Sequence, residues 1–210
     1  MNGRNARAKQ NTPRVLLIAC ATAFAAAFTV SLPQSAHAKQ VTPPPLPPNI
    51  RVPAGNKTFL AVHGVGTQNY VCLPSGAGFK FILFTPQATL FNEHDDEVTT
   101  HYFSPNPYVG GAIRATWQHS VDTSTVWGNV IDSSSDPNFV APGAIAWLLI
   151  QRFGAEDGPT GGDTLTATTF IQRLNTSGGI APSTGCTSPT DVGNQAFVPY
   201  AADYIFYTDR

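Results

Sequence analysis

The chain has 210 residues, of which 12% are charged and 42% hydrophobic, with a formal net charge of −1. Setting aside the four basic residues of the N-terminal leader described next, eight Lys plus Arg face thirteen Asp plus Glu, a charge near −5. That length allows one domain with a real core, and an acidic surface repels phosphate backbones, which excludes nucleic acid as the expected partner.

Residues 1–38 read as a secretory signal peptide. Arg4, Arg7, Lys9 and Arg14 form a basic head, and Val15 to Val30 form an alanine-rich apolar run. Pro33 and the tripeptide Ala36-His37-Ala38 place cleavage after Ala38. The run falls short of the roughly 20 residues that cross a bilayer, so no membrane span is expected in the mature chain. Leu17-Ile18-Ala19-Cys20 has the look of a lipidation box, but cutting before Cys20 leaves an apolar core of only Val15 to Ala19. The expected destination is the periplasm or the medium. Cys20 departs with the leader, which leaves Cys72 and Cys186, and in an oxidising compartment such a pair is expected to form a disulfide.

Residues 39–53 are a linker. Pro43, Pro44, Pro45, Pro47, Pro48 and Pro53 favour an extended, polyproline-II-like spacer, with the folded domain starting near Ile50 and spanning 54–210. Beyond it, short apolar runs alternate with Gly, Pro, Asn and Asp. The runs are Thr58–Val62, Gln68–Leu73, Phe79–Phe84, Ala88–Phe91, Val98–Phe103, Ala112–Gln118, Ser124–Ile131, Ala144–Phe153, Thr166–Leu174, Ala196–Val198 and Asp203–Tyr207. β-branched and aromatic residues dominate them, and Tyr204 and Phe206 share one face of the last. Ala144–Phe153 could be a buried helix, but its length and the flanking Pro142-Gly143 and Gly154 favour a strand. Some eleven short strands predict an all-β single domain, a β-sandwich or barrel with one disulfide. The tracts 132–138 and 156–163 read as solvated loops, the second without calcium-loop spacing.

Four stretches carry a resemblance. They are Gly64-Val65-Gly66-Thr67-Gln68-Asn69-Tyr70-Val71-Cys72, then Thr85-Pro86-Gln87-Ala88-Thr89-Leu90-Phe91. His101-Tyr102-Phe103 with Trp117-Gln118 comes next, then 171–179 with Ala181-Pro182 and Cys186. With the tail 199–207, this set resembles the domain-of-unknown-function family numbered 3455, found in exported bacterial and fungal proteins. The resemblance runs from about Pro53 to Tyr207. It implies a mostly β domain with Cys72 and Cys186 paired, and no established activity. Two departures stand out. Ser104 to Thr116 reads as a loop insertion, with Pro105, Pro107, Gly110 and Gly111. Where the family tends to read Asp-Gly-Ser, this chain has Asp122-Thr123-Ser124, which argues against a positive-φ turn there or implies strain.

Candidate chemistry is sparse. His94 and His101 flank Glu93, Asp95, Asp96 and Glu97, and His119 follows, but a metal needs three or four converging ligands. The run reads instead as a charged hairpin turn, and neither a metal site nor a cofactor is expected. A triad of Ser124, His101 and Asp122 can be drawn, but Ser124 lacks a nucleophile-elbow context. Aromatic residues are the stronger lead. Trp117, Trp127, Tyr70, Tyr102 and Tyr108 sit on or beside strands, near Gln68, Asn69, Gln118 and His119. Rings beside amides hold sugars and other amphipathic ligands. A groove of His101, Trp117, Gln118 and Asp122 is the candidate ligand site, although each tryptophan taken singly reads as core. Arg173 reads as an ion-paired strand residue in preference to a ligand contact. The resulting expectation is a secreted, non-enzymatic binding or envelope-associated module for a glycan or small apolar ligand. Its rival is a secreted hydrolase or metal-dependent enzyme using His101 and nearby carboxylates. Binding calls for exposed aromatics in a cleft and an unperturbed histidine. Catalysis calls for His101 buried beside an acid in a donor-lined pocket.

Overall fold

The computed structural model describes residues 42–209. The leader, its cleavage site and Cys20 lie outside the described residues. Eight strands follow one another: β1 (Lys57–Ser75), β2 (Gly78–Phe91), β3 (Glu97–Asn106), β4 (Ala112–His119), β5 (Thr125–Ser134), β6 (Trp147–Glu156), β7 (Phe170–Gly178) and β8 (Gln195–Thr208). Each pairs antiparallel with its neighbours in sequence, and β8 pairs back onto β1, closing a barrel. The all-β expectation therefore holds and resolves to the barrel. Closure leaves no free sheet edge. Among the described residues no helix is long and apolar enough to cross a membrane.

Eleven expected runs become eight longer strands because the residues read as breaks are absorbed into the ladder. Gly64 and Gly66 lie inside β1, Pro86 inside β2 and Pro199 inside β8. Around Pro86 the β1–β2 register shifts between Asn69 and Tyr70, and the Phe103 amide donates to the Thr85 hydroxyl at 3.0 Å. A bulge and a side-chain acceptor here accompany the break in regular pairing that a proline causes. The expected insertion at 104–116 is mostly strand, with Ser104, Pro105 and Asn106 pairing with Arg114, Ile113 and Ala112. Only a short turn at Pro107–Val109 and two positive-φ glycines cap that hairpin.

Period-2 alternation serves two cores. Inside the barrel, Leu90, Trp117, Val126, Ile171, Tyr204 and Phe206 are fully buried. On the outer wall, Trp147, Leu149, Leu174, Ile205 and Tyr207 bury against Ile50 and Val140. The last part of the expected spacer therefore belongs to the body. Ile50 is fully buried, with Leu46 and Val52 packed beside it. The Gln172 side-chain amide donates to the Ile50 carbonyl at 2.6 Å. Pro48–Ile50 form a short 3-10 turn and not the extended polyproline backbone expected there, and the Ile50 carbonyl at its end is left to accept from a side chain.

The sequential topology gives the barrel two distinct ends. The β2–β3, β4–β5 and β6–β7 connections lie at one, and the β1–β2, β3–β4, β5–β6 and β7–β8 connections at the other. At the second end Cys72 and Cys186 form a disulfide, with Cα atoms 5.5 Å apart and 114 positions between them. On the chain-entropy model, cross-linking so long a loop stabilises by about 4–5 kcal/mol. The Cys72 amide and carbonyl also bond to Asn194 and Gly193, fastening the 179–194 segment to β1.

Candidate functional site

The barrel interior is only partly filled. A cavity of about 350 Å³ lies toward the disulfide end, at the small end of the range for ligand sites. Eight-stranded barrels are wide enough either to fill with side chains or to hold one small ligand. Small inward-facing residues leave the space here, since Ala115 on β4 pairs with Gly128 on β5. A Cβ at Gly128 would fall 2.4 Å from Ile150 and 3.2 Å from Trp117, so glycine gives the indole its room. Exposed Ile113 and Val130 stand at the rim, and buried His101, Trp117 and Tyr204 form the floor. Gln68, Tyr70, Leu148 and Arg173 line the wall between them.

His101 lies flat on Trp117, with centroids 4.3 Å apart and rings inclined by 8°. The two are cross-strand partners on β3 and β4, which places their side chains on the same inner face. The His101 Nδ1 is 2.9 Å from the Thr116 carbonyl oxygen. A carbonyl only accepts, so Nδ1 carries the proton and Nε2 keeps its lone pair. Burial holds the imidazole down from 6.5 to about 3, the Thr116 bond opposes this, and the Arg173 charge adds to it. A ring that stays neutral to such acidity is a poor base at neutral pH. Among the described residues no carboxylate pairs with it. The site thus combines features of both expectations: the histidine is buried and perturbed, but it has no acid beside it.

The cavity wall is rich in donors. Among the described residues its charged lining residues are Arg114 and Arg173, and no Asp or Glu lines it. Arg173 Nη2 donates to the Ala146 carbonyl at 2.8 Å, and its buried Nε has no protein partner among the described residues. The expected ion pair for Arg173 is absent there. Gln68 Nε2 and Trp117 Nε1 are likewise buried without an acceptor. The Tyr200 and Tyr204 hydroxyls lie 3.0 Å apart, and the Tyr70 hydroxyl donates to the Gly179 carbonyl at 2.6 Å. Burial pushes the Tyr70, Tyr200 and Tyr204 hydroxyls up, with the Arg173 charge pulling against it at all three.

The other candidates lie elsewhere. Gln118 follows Trp117 on β4 and so faces the opposite way, where its amide donates to the Thr125 hydroxyl at 3.3 Å. Asp122 lies in the β4–β5 turn, at the end away from the cavity mouth. It accepts from the amides of Ser124 and Thr164 and from both their hydroxyls. Burial works against its charge, but these bonds outweigh burial and hold the carboxyl well below its ordinary range. Its Oδ1 also lies 2.9 Å from His119 Nδ1. The Ser124 hydroxyl donates to Asp122 and accepts from the Leu165 amide, so Ser124, His101 and Asp122 form no triad. Exposed His94 lies beside Glu93, and the acidic run does not converge on His101. Among the described residues no cluster of three His, Cys, Asp or Glu side chains is placed to hold a metal ion.

Arg173 lines the cavity, whereas the sequence favours an ion-paired strand residue over a ligand contact, and among the described residues it has no such ion pair. Its signal was available: period 2 along Ile171, Gln172, Arg173 puts the arginine on the same face as the apolar Ile171. A family model described as a protein of unknown function, DUF3455, matches residues 53–208. No curated protein and no solved structure matches the chain.

Proposed function

We propose, for a chain that belongs to the DUF3455 family across residues 53–208, an exported binding module whose barrel holds one small, mainly apolar ligand. The observation that carries this reading is the unfilled interior space, walled by Tyr70, Leu148, Ile150 and Ile113 above an aromatic floor. A glycan is the weaker occupant. Sugars stack on open ring faces, whereas one face of Trp117 is already covered by His101. Catalysis is weaker still, because among the described residues the neutral His101 has neither an acid to orient it nor a nucleophile to activate. Export is supported by the leader pattern at 1–38 and by the Cys72–Cys186 disulfide, a bond of oxidising compartments.

The test uses the oxidised protein beginning at Lys39 and the neutral fluorophore N-phenyl-1-naphthylamine. Binding should raise and blue-shift its emission with one site per chain. Ala115→Phe, which projects a ring into the cavity, should reduce binding at least tenfold while the thermal transition stays cooperative. Unchanged emission with the unmodified protein, or equal binding by the variant, would overturn the reading.

A further inference from the structure

We infer that the cavity selects an amphipathic carboxylate, an apolar chain or ring bearing one carboxylate that is received by Arg173. The inference rests on the binding reading and names its ligand class. Three features converge on it. Arg173 is a fixed cation at a mainly apolar wall, with no carboxylate of the protein paired to it among the described residues. Among the described residues, the buried atoms of lining residues that lack a protein partner are Gln68 Nε2, Arg114 Nε, Trp117 Nε1 and Arg173 Nε, all donors, so a ligand that brings acceptors suits this wall. The body as a whole is acidic, yet this interior is cationic, which is an arrangement specific to the site.

The position of the arginine fits a receiving group. Arg173 faces Leu148 on one side and Tyr204 on the other. Its charge acts on Tyr70, His101, Tyr200 and Tyr204, which come from β1, β3 and β8. With Nη2 held by the Ala146 carbonyl, the guanidinium is oriented before any ligand arrives. A guanidinium edge matches the planar two-oxygen head of a carboxylate, and removal from bulk water strengthens that pairing. Neutral His101 adds no positive charge next to Arg173, so one anionic head balances that guanidinium.

The experiment is calorimetric titration of the oxidised protein from Lys39 with octanoate, 1-octanol and octylammonium at pH 7.5. Octanoate should bind at least tenfold more tightly than octanol, with octylammonium weakest. Arg173→Met should bring octanoate down to the octanol affinity while leaving octanol unchanged, and Arg173→Lys should recover part of the difference. If Arg173→Met does not fold, the order of the three ligands on the unmodified protein decides alone. Equal binding of octanoate and octanol, or no binding of octanoate while N-phenyl-1-naphthylamine still binds, overturns the carboxylate inference and leaves the cavity reading standing. Failure of the neutral fluorophore as well overturns both.

Discussion

The Asp122 carboxylate takes two hydrogen bonds from Thr164, 42 positions further along the chain, from the amide at 3.0 Å and the hydroxyl at 2.6 Å. The adjacent Leu165 is fully buried in the inner core, and its amide donates to the Ser124 hydroxyl at 3.1 Å. The β4–β5 turn thereby pins the 157–168 segment so that Leu165 closes the barrel end away from the cavity mouth. The segment must come close, since a Cβ at Gly158 would lie 1.7 Å from the Asp122 carbonyl oxygen. Removing the carboxylate strands the donors of Thr164 and Ser124. Hydrogen bonds to a charged group are worth about 1.5–3 kcal/mol each and do not add, so Asp122→Ala should cost about 2–4 kcal/mol. Denaturant unfolding measures this. A loss below about 0.5 kcal/mol would mean that the segment is held by Leu165 alone.

Within the same turn, Thr123 has φ of 59°. The departure from Asp-Gly-Ser left two possibilities, an altered turn or strain, and strain is the outcome. A β-branched residue in the left-handed region costs about 1–2 kcal/mol, and glycine gives back about 0.5–1 kcal/mol of that through unfolded-chain entropy. Thr123→Gly should therefore stabilise by about 0.5–1 kcal/mol, raising Tm by a few degrees at this chain size. A lowered Tm would show that the Thr123 side chain makes contacts worth more than the strain.

The strand character of this chain was legible because β-branched and aromatic runs mark strands whatever surrounds them. Ala144–Phe153 was assigned as strand on length and flanking glycines, and β6 (Trp147–Glu156) bears this out. Strand ends were not legible. Gly66 and Pro86 are local breakers by themselves, and only the β1–β2 pairing, with its register shift, makes them interior residues. Barrel and sandwich shared one sequence pattern, since closure depends on β8 finding β1 across most of the chain. At the site, His101 and Trp117 were readable as a pair because both lie on strands beside aromatics. Gln118 was grouped with Trp117 by proximity in sequence, whereas alternation separates them. The isolation of Arg173 from carboxylates is a property of the closed barrel, which no local window contains.

His101 makes stability depend on pH in a defined window. Its folded value is about 3 and its ordinary value 6.5, so between them the unfolded chain binds the extra proton. Stability then rises with pH across that window. It is complete above about 6.5 and lost progressively as pH falls toward 3. The full difference is at most about 4–5 kcal/mol. Tyr204, Trp117 and Arg173 surround the ring, and none of these releases or takes a proton there. Asp122 also weakens the fold in acid, but only below its ordinary value of 3.8, because its folded value lies lower still. Unfolding free energies between pH 6.5 and 4.5 therefore isolate the histidine. His101→Phe should flatten that slope, and an unchanged slope would place the acid sensitivity elsewhere.

The proline-rich lead-in forms part of the folded body. Its carbonyl at Ile50 receives the Gln172 amide, whose oxygen in turn receives the Tyr207 hydroxyl. Ile50 itself completes the outer core over Trp147, Leu149 and Ile205. A protein beginning at Ala54, where sequence reading placed the domain start, would expose those residues and leave the Gln172 amide without its acceptor. Losing one fully buried isoleucine costs about 2–5 kcal/mol, and a stranded buried donor about 1–3 kcal/mol more. The version from Ala54 should therefore unfold about 6–30 °C below the version from Lys39, given about 2–4 °C per kcal/mol. Ile50→Ala in the longer version should reproduce about two thirds of the drop. Equal melting temperatures would return the segment to the status of a spacer.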